Sequence, residues 1–277
     1  MTVFHKPFAI GLLPLDLGEW LDVDDQLEFY LEEKDRLYAE HPNLVFQAEE
    51  ETEVSQDEIL QSIIECLIAQ YPSLYQKQGD VMKIGERQIL LDAQPPLLTA
   101  ARLCQDDLIV MRHSSQGWRL VAASLSFPSS WSLVEKFGKP MDQIHAPVPA
   151  FGPNTRNAMM IDRIFDKLQV GLPVWRQNWS LHEDDALYHP SASVMRSEKF
   201  ENRNLTHDPY VRVERQTLRK MPQSGDILFT VRIYLDRVSA LRQKPEGEAG
   251  VAQLNEQLLN MTADELAYKG IPLGLSV

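Results

Sequence analysis

The chain has 277 residues, a formal net charge of −13 and 44% hydrophobic residues. This length suffices for one large domain or two small ones with a sizeable core. The acidic charge argues against nucleic acid and anionic membrane surfaces as partners, because both would repel the chain. With only two cysteines, Cys66 and Cys104, the sequence predicts no disulfide framework and indicates a reducing, cytoplasmic setting.

The same residue count bounds the redox chemistry of the chain. Two thiols are too few for a four-cysteine iron–sulfur site, and no C-x-x-C-H motif for covalent heme attachment is present. The sequence also lacks the glycine motifs of dinucleotide folds, P-loops and nucleophile elbows. No apolar run approaches the roughly 18 residues of a membrane span, and the N-terminus does not have a signal-peptide profile.

In chain order, the first half of the sequence predicts two long helices. The charged residues 24–40 are expected to be helical and to stop before Pro42. An acidic run at residues 49–58 leads into the second helix, where Ser55 and Glu58 form a candidate capping box. Apolar residues then recur at helical spacing: Ile59, Leu60, Ile63, Ile64, Leu67 and Ile68.

The middle of the chain predicts a hairpin, a stiff loop and a third helix. Two β-rich runs, residues 108–111 and 118–125, flank a polar turn. Four prolines within residues 140–153 predict a loop and not a helix. A helix is expected over residues 155–168, and residues 174–179 are a candidate strand.

Towards the C-terminus the pattern weakens and then recovers. Residues 182–208 have no period and predict an irregular insertion. Residues 243–250, QKPEGEAG, are predicted to be flexible. A final helix is expected to begin with a capping box of Thr262 and Glu265 and to end at Gly270.

The most informative segment is residues 210–234, YVRVERQTLRKMPQSGDILFTVRIY. Two alternating runs flank a turn rich in proline and glycine, which predicts a β-hairpin. Because strand side chains alternate faces, Arg212, Glu214 and Gln216 are expected on one face, and Arg232 is expected to be able to reach the same side. Periodicity alone favours a solvated ladder of weak cross-strand pairs over a polar wall inside a pocket.

The sequence of this segment is also similar to that of a known family. It resembles the signature of the α-subunit family of heme-dependent oxidative N-demethylases, with an R-V-E-R-Q-T-L strand, a P-x-S-G turn and an L-F-T-V-R strand. Other blocks match that family in order: PFAIGLLPLDLGEWLDVDD (7–25), LCQDDLIVM (103–111), WRLVAASLSFPSSWSLVEKFGKPMDQIHAPVP (118–149) and VWRQNWSLHEDDALYHP (174–190). Long ordered matches of this kind are specific for the family, though not for the activity of each member.

The resemblance implies an α+β fold, in which a PAS-like antiparallel sheet and surrounding helices enclose a heme pocket. That domain is expected over residues 1–240, with a C-terminal helical extension over residues 241–277. The resemblance further implies a non-covalent heme b that activates O2 to demethylate a small secondary amine such as dimethylamine, releasing formaldehyde. Electrons are expected from NADPH, through partner subunits that carry flavin and iron–sulfur centres.

Among seven histidines, His145 is the predicted axial ligand of the heme iron. Pro147 and its apolar neighbours provide a dry surround and restrict the loop, and the I-H-x-P-V-P block is shared with the family. The alternative is that His145 caps the proline-rich loop by bonding a backbone carbonyl. His189 is the second candidate for the ligand.

The other side of the iron must receive O2 and an amine that is cationic at neutral pH. A buried carboxylate is the natural partner of such a cation, and Glu214 is the predicted one. Arg212 or Arg232 is expected to polarise bound oxygen. Tyr188 and Tyr234 are candidate hydrogen-bond or proton donors, and each also fits a packed aromatic with a satisfied hydroxyl.

Two further arginines, Arg119 and Arg176, each follow a tryptophan and are candidate partners of the heme propionates. Surface arginines are common, so a solvent-exposed role also fits them. At the level of function, two other hypotheses stay open. A PAS scaffold also suits a non-catalytic gas or redox sensor, since fold does not settle function. A member that lost heme would bind another small molecule through the Arg/Glu hairpin.

Overall fold

An antiparallel sheet organises the computed structural model, which describes residues 4–190 and 208–277. The strands are β1 (Leu13–Pro14), β2 (Phe46–Ala48), β3 (Tyr75–Gln78), β4 (Val81–Ile84), β5 (Arg87–Leu90), β6 (Asp107–Ser114), β7 (Gly117–Ser124), β8 (Val174–His182), β9 (Tyr210–Lys220) and β10 (Ile227–Arg237). Seven of them pair in the order β1-β8-β9-β10-β6-β7-β2, and every pair is antiparallel. Strands β3 to β5 form a separate small sheet that the sequence patterns did not predict.

Helices surround the sheet: α1 (Leu27–Glu40), α2 (Pro42–Val45), α3 (Glu53–Gln70), α4 (Pro96–Ala101), α5 (Leu133–Lys136), α6 (Met141–His145), α7 (Arg156–Lys167), α8 (Val238–Arg242), α9 (Gly247–Leu259) and α10 (Ala263–Lys269). This mixture of helices and antiparallel strands confirms the predicted α+β class. Within the described residues, no helix has both the length and the apolar character that crossing a membrane requires.

The predicted central hairpin is confirmed, with eleven residue pairs between β9 and β10. Its turn is fixed by a residue from far along the chain. Both carboxylate oxygens of Glu58 accept backbone N–H bonds, from Gln223 at 2.6 Å and Ser224 at 2.9 Å. The predicted capping box of Ser55 and Glu58 is therefore wrong: α3 begins earlier, at Glu53, and Glu58 is used to hold the turn.

The hairpin register corrects one expectation about side-chain direction. Arg232 lies opposite Arg215, and Ile233 lies opposite Glu214. Directly opposed residues share a face of the sheet, so Arg232 points to the side away from Arg212 and Glu214. The six-residue turn from Met221 to Asp226 sets this register, and a shift by one residue would reverse it.

Two segments predicted to be irregular contain helices. Helix α6 lies within residues 140–153, where Pro140 precedes the helix and its missing N–H breaks no bond. Helix α9 begins at Gly247, inside the segment predicted to be flexible. A Cβ at Gly247 would lie 1.9 Å from the carbonyl oxygen of Leu241, so only glycine lets α9 approach α8 this closely.

The remaining predicted helices are confirmed, as are the predicted caps of the last one. Thr155 caps α7 by accepting from Ala158 N. Thr262 and Glu265 form the predicted capping box of α10, which ends at Gly270 in the left-handed conformation with φ 70°. Most of the predicted irregular insertion, residues 191–207, lies outside the described residues.

The two faces of the sheet are covered differently. On the back face, α3 and α4 pack against β6 and β10, and the C-terminal helices pack against Trp179, Leu181, Val211 and Val213. The boundary at residue 240 stays a prediction, and the helices after it share a core with strands before it. The front face, which carries Glu214, is covered by α5 to α7 and encloses a cavity.

Candidate functional site

The main cavity lies on the front face of the sheet and has a volume of about 260 Å³. Helices α5 to α7, the N-terminal segment and α10 supply one part of its wall. The strands supply Ile109, Met111, Leu120, Arg176, Asn178, Glu214, Gln216, Leu218 and Phe229. Polar groups of the sheet wall are thus confined to β8 and β9, while β6, β7 and β10 present an apolar surface.

Strand pairing brings the polar groups together. Arg176 lies opposite Gln216, and Asn178 lies opposite Glu214. All four side chains therefore project from the front face into one end of the main cavity. The prediction that Glu214 and Gln216 share a face is confirmed, and the register adds two partners from β8.

Glu214 is a buried carboxylate, 8% exposed. Its Oε2 atom accepts hydrogen bonds from Asn178 Nδ2 at 3.2 Å and Gln216 Nε2 at 2.6 Å. No described residue donates to Oε1. Because an ionised carboxylate has acceptor capacity on both oxygens, Glu214 keeps half of its capacity for a ligand that donates.

Lys269 fixes the orientation of the Asn178 amide. Its Nζ atom lies 3.2 Å from Asn178 Oδ1 and also donates to the backbone carbonyl of Trp179. An ammonium group only donates, so Asn178 must turn its oxygen to Lys269 and its NH2 group to Glu214. The last turn of α10 thereby positions a group on β8 that holds the carboxylate.

Arg176 contrasts with Asn178 and Lys269, whose polar groups have hydrogen-bond partners. Its guanidinium forms no hydrogen bond or ion pair with the described residues, and its Nε atom is buried without a partner. Burial lowers the pKa of Arg176 from its usual value, and the nearby Glu214 acts in the opposite direction. A buried guanidinium with open donors is suited to an anionic ligand group such as a carboxylate.

His145, at the end of α6, lines the same cavity. Its Nδ1 atom lies 3.1 Å from the carbonyl oxygen of Met141, which can only accept, so Nδ1 carries the proton. Burial, and secondarily Lys136, lower the pKa of His145 to about 4. The imidazole is therefore neutral at pH 7 with its lone pair on Nε2, the form that binds a metal.

This geometry bears on both interpretations of His145. The bond to a backbone carbonyl, expected if the residue only caps the loop, is present. It uses one ring nitrogen and leaves the other available, which is the arrangement usual for metal-ligating histidines. Ligation itself stays a prediction.

Arg212 lies on the same face as Glu214 but does not line the main cavity. Its Nε donates to Ser129 Oγ at 2.8 Å, and Nη2 donates to the carbonyls of Phe127 at 2.8 Å and Leu187 at 3.0 Å. Nη1 adds a bond to the carbonyl of Ala186 at 3.3 Å. These bonds tie two loops to β9 and leave the guanidinium little capacity to polarise oxygen.

Arg232 and Tyr234 lie on the back face of β10. Arg232 Nη2 donates to Asp24 Oδ2 at 2.7 Å, and its guanidinium lies over the ring of Tyr30 at 4.3 Å. The hydroxyl of Tyr234 donates to Asp22. The sheet separates both residues from the main cavity, and their predicted catalytic roles stay predictions.

Three other predicted site residues also lie outside the cavity lining. Tyr188 stacks on His41 with ring centroids 5.9 Å apart. Arg119 pairs with Glu49 through both of its terminal nitrogens. Pro147 is exposed. The sequence pattern did not reveal that Arg119 has an acidic partner, Glu49, while Arg176 has no ion-pair partner among the described residues.

Sequence reasoning missed Asn178, Tyr268 and Lys269 as cavity residues. A signal was present for Asn178, which alternates with Arg176 along β8 and so shares its face. No local signal marked Tyr268 or Lys269. They reach the cavity because α10, which lies more than 50 residues after Glu214 in the sequence, packs against it.

A comparison with family models finds a match over most of the chain. The model described as "Haem-dependent oxidative N-demethylase, alpha subunit-like" matches residues 11–273 of the chain. The match contains the whole sheet and all ten helices named above. It therefore includes the C-terminal residues that contribute to the cavity, beyond the blocks recognised in the first 235 residues.

Proposed function

The chain belongs to the haem-dependent oxidative N-demethylase, alpha subunit-like family, and on that premise we propose that it demethylates a small secondary amine of the dimethylamine kind. In this reaction the amine, O2, two electrons and two protons give the demethylated amine, formaldehyde and water. The observation that carries the proposal is the presence of two groups in one cavity: a neutral, anchored imidazole and a buried carboxylate with an open oxygen.

The residues of the main cavity fit a non-covalent heme b. Nε2 of His145 would hold the iron, the apolar walls would contact the macrocycle, and Arg176 would bind a propionate. Heme, when bound, supplies the binding and reductive activation of O2. The volume of about 260 Å³ is smaller than the roughly 300–1,000 Å³ usual for ligand cavities, and heme is a large ligand, so we expect heme uptake to move part of the wall outward.

Glu214 is proposed to bind the ammonium group of the amine through Oε1. Asn178 and Gln216 hold the other oxygen, so the carboxylate enters the complex already oriented. The apolar side chains of Phe229 and Ile109 would contact the methyl groups. One methyl group changes binding in such a pocket by only about 1–3 kcal/mol, so the selectivity among small amines is expected to be modest.

Electrons are proposed to come from other subunits. The family description names an alpha subunit, which implies partner chains. Two cysteines cannot form a four-thiolate cluster. We therefore propose that NADPH, flavin and iron–sulfur centres belong to the partners, while this chain binds heme, O2 and the amine.

The antiparallel run β8-β9-β10-β6-β7 with helices on its faces supports a PAS-like assignment of the heme domain. We propose that residues 1–240 form this domain and that residues 241–277 extend it. The extension then has a specific task, since its last helix supplies Lys269 to the main cavity.

The test is an ultraviolet–visible titration of the protein with heme, beside the His145→Ala and His113→Ala variants. We expect a sharp Soret band that His145→Ala loses or shifts and that His113→Ala, at an exposed position, retains. Formaldehyde release from dimethylamine with a chemical reductant would follow.

Each other outcome has a definite meaning. Folded protein without a Soret band would contradict the oxygenase proposal. Full heme binding by His145→Ala would move the ligand elsewhere, with His189 the next candidate. Reversible binding of O2 or CO without amine turnover would favour a heme sensor.

A further inference from the structure

A second, smaller cavity adjoins the main one at Glu214. This polar chamber has a volume of about 50 Å³. It shares Glu214, Asn178 and Lys269 with the main cavity, and it adds Ser130, Ser180 and His182. Glu214 thus forms part of the wall of both, with apolar surface on one side and hydroxyl and imidazole groups on the other.

From the polar chamber a chain of polar side chains reaches the surface. Ser180 Oγ lies 2.9 Å from His182 Nε2. The rings of His182 and His189 have centroids 4.6 Å apart. His189 Nε2 lies 3.3 Å from Asp184 Oδ1, and the Asp184 side chain is 61% exposed.

The fold explains why these residues meet. Asn178, Ser180 and His182 alternate along β8 and so project from one face, in line with Glu214 on β9. His189 is placed by a backbone bond from Ser130 N to its carbonyl at 2.9 Å. The arrangement is therefore specified by strand geometry at one end and by a loop contact at the other.

Arg212 fixes the loop that carries His189 and Asp184. Its guanidinium bonds the carbonyls of Ala186 and Leu187, which lie between these two residues in the sequence, and it also bonds Ser129. The saturated arginine described above thus positions the outer half of the chain of polar groups.

We propose that the polar chamber and the pair His182–His189 form a proton-delivery route from solvent at Asp184 to Glu214 at the edge of the main cavity. The inference rests on the proposed function, because that reaction consumes two protons with its two electrons. The apolar side chains of Ile109, Met111 and Phe229 cannot carry protons, whereas the polar chamber opens directly onto Glu214.

The chemistry of the route balances without another reagent. An imidazole accepts a proton on one nitrogen and releases one from the other, so each transfer leaves the ring neutral. A water molecule needs about 10–15 Å³ and two to four polar partners, and the polar chamber satisfies both conditions. Water there would connect Ser180 and His182 with Glu214.

The first experiment needs neither heme nor turnover. Histidine ring protons of the full chain would be titrated by NMR in the unsubstituted protein, in Glu214→Gln and in Asp184→Asn. Among the described residues, the ionisable groups that face the pair are Glu214, Lys269 and Tyr268 in the polar chamber and Asp184 at the surface. Loss of a neighbouring negative charge disfavours the imidazolium form.

We therefore expect Glu214→Gln to lower the pKa of His182, and Asp184→Asn to lower the pKa of His189. Because the two rings are in contact, each substitution should also change the pKa of the other ring, by a smaller amount. His113, which is exposed beside Trp118, serves as the internal control. If neither substitution changes the pKa of His182 or His189, the proposed route is wrong.

The second experiment uses the heme-loaded protein with a chemical reductant. We expect His182→Phe to lower kcat for formaldehyde release by about 10-fold or more, with a larger solvent deuterium isotope effect and an unchanged KM for dimethylamine. Added imidazole should restore part of the rate. Ser180→Ala, a smaller change, should have the same effect to a lesser degree, and His113→Phe should have none.

The outcomes separate this inference from the function on which it rests. If the unsubstituted protein releases formaldehyde and His182→Phe and Ser180→Ala match it in kcat and isotope effect, the route is wrong. If the unsubstituted protein releases none, the proposed function fails, and the NMR titration alone decides whether the histidines are coupled to Glu214.

Discussion

Two sets of charged side chains on the same sheet have opposite hydrogen-bonding states. Arg212 donates to four acceptors, and Arg232 pairs with Asp24 on the back face. In the main cavity, Glu214 keeps one oxygen without a donor, and Arg176 has no hydrogen-bond partner among the described residues. The two sets are separated by a few strand positions, so the difference does not follow from residue type.

The difference distinguishes groups that hold the fold from groups that await a ligand. A saturated buried arginine ties loops to a strand, and its loss leaves several acceptors unsatisfied. A buried charge with open capacity costs stability, and such groups are concentrated at functional sites. By this criterion, the amine and propionate roles belong to Glu214 and Arg176, while Arg212 and Arg232 stabilise the scaffold.

The largest expected effect is on the stability of the scaffold. Arg212→Met should lower the free energy of unfolding by about 3–5 kcal/mol, because four bonded acceptors lose their donor. Arg176→Met, the same substitution in the main cavity, should change the free energy of unfolding by less than about 1 kcal/mol. Urea unfolding of both variants measures the contrast, and equal losses would remove the distinction between the two sets.

The next effect concerns pH. The folded-state pKa of His145 is lowered to about 4 from 6.5, by burial and by Lys136 and Arg176. The unfolded chain therefore binds the proton more readily between these values, and stability should fall as the pH falls from 6.5 towards 4. The loss should reach up to about 3 kcal/mol and be complete below the lower pKa.

His145→Gln isolates this contribution. Asp107 acts in the opposite direction, because burial raises its pKa to about 6 and favours its protonated form in the folded state. The difference between the unsubstituted protein and His145→Gln, taken from urea unfolding at pH 7 and pH 4.5, cancels Asp107. A difference that does not change with pH would contradict a buried neutral imidazole.

A smaller effect is expected on amine binding. Glu214→Gln replaces the open carboxylate oxygen by an uncharged group of similar size. Hydrogen bonds to charged groups contribute about 1.5–3 kcal/mol, so the affinity for dimethylammonium should fall by about 10- to 100-fold. Calorimetric titration of the heme-loaded protein measures this. Glu256→Gln, the same change on an exposed position of α9, should leave the affinity as it was.

A feature of this site can be predicted from the sequence when the residues that determine it are close together in the chain. Alternation within β9 correctly placed Arg212, Glu214 and Gln216 on one face. The side on which Arg232 lies depends on the register across the hairpin turn, which periodicity within one strand does not specify. Most helices followed from local periodicity for the same reason, whereas the α+β class was implied by the family resemblance.

The sequence did not predict which charged side chains have all of their hydrogen-bond partners. Arg119 and Arg176 have the same local signal, a preceding tryptophan. Arg119 nevertheless pairs with Glu49 from 70 residues earlier, and Arg176 has no such partner in the part of the chain that the structure describes. Glu58 looked like a helix cap and instead holds a turn that is 165 residues away. These outcomes are decided by tertiary packing, which local patterns do not encode.

Lys269 is the intermediate case and gives the smallest expected change. It lines the main cavity, yet its ammonium is engaged by Asn178 and the Trp179 carbonyl. In Lys269→Met, the lost hydrogen bonds should reduce stability by about 1–3 kcal/mol. For amine binding two effects oppose each other: a less firmly held Asn178 weakens the complex, while removal of a nearby positive charge favours a cation.

We therefore expect the affinity of Lys269→Met for dimethylammonium to stay within about 10-fold of the unsubstituted protein. Lys167→Met, in the last turn of α7 and exposed, is the matched control for both measurements. An affinity loss as large as that of Glu214→Gln would show that Lys269 acts on the amine site as directly as the carboxylate does. Position in the main cavity, and not the number of hydrogen bonds, would then distinguish the ligand-binding groups from the groups that stabilise the scaffold.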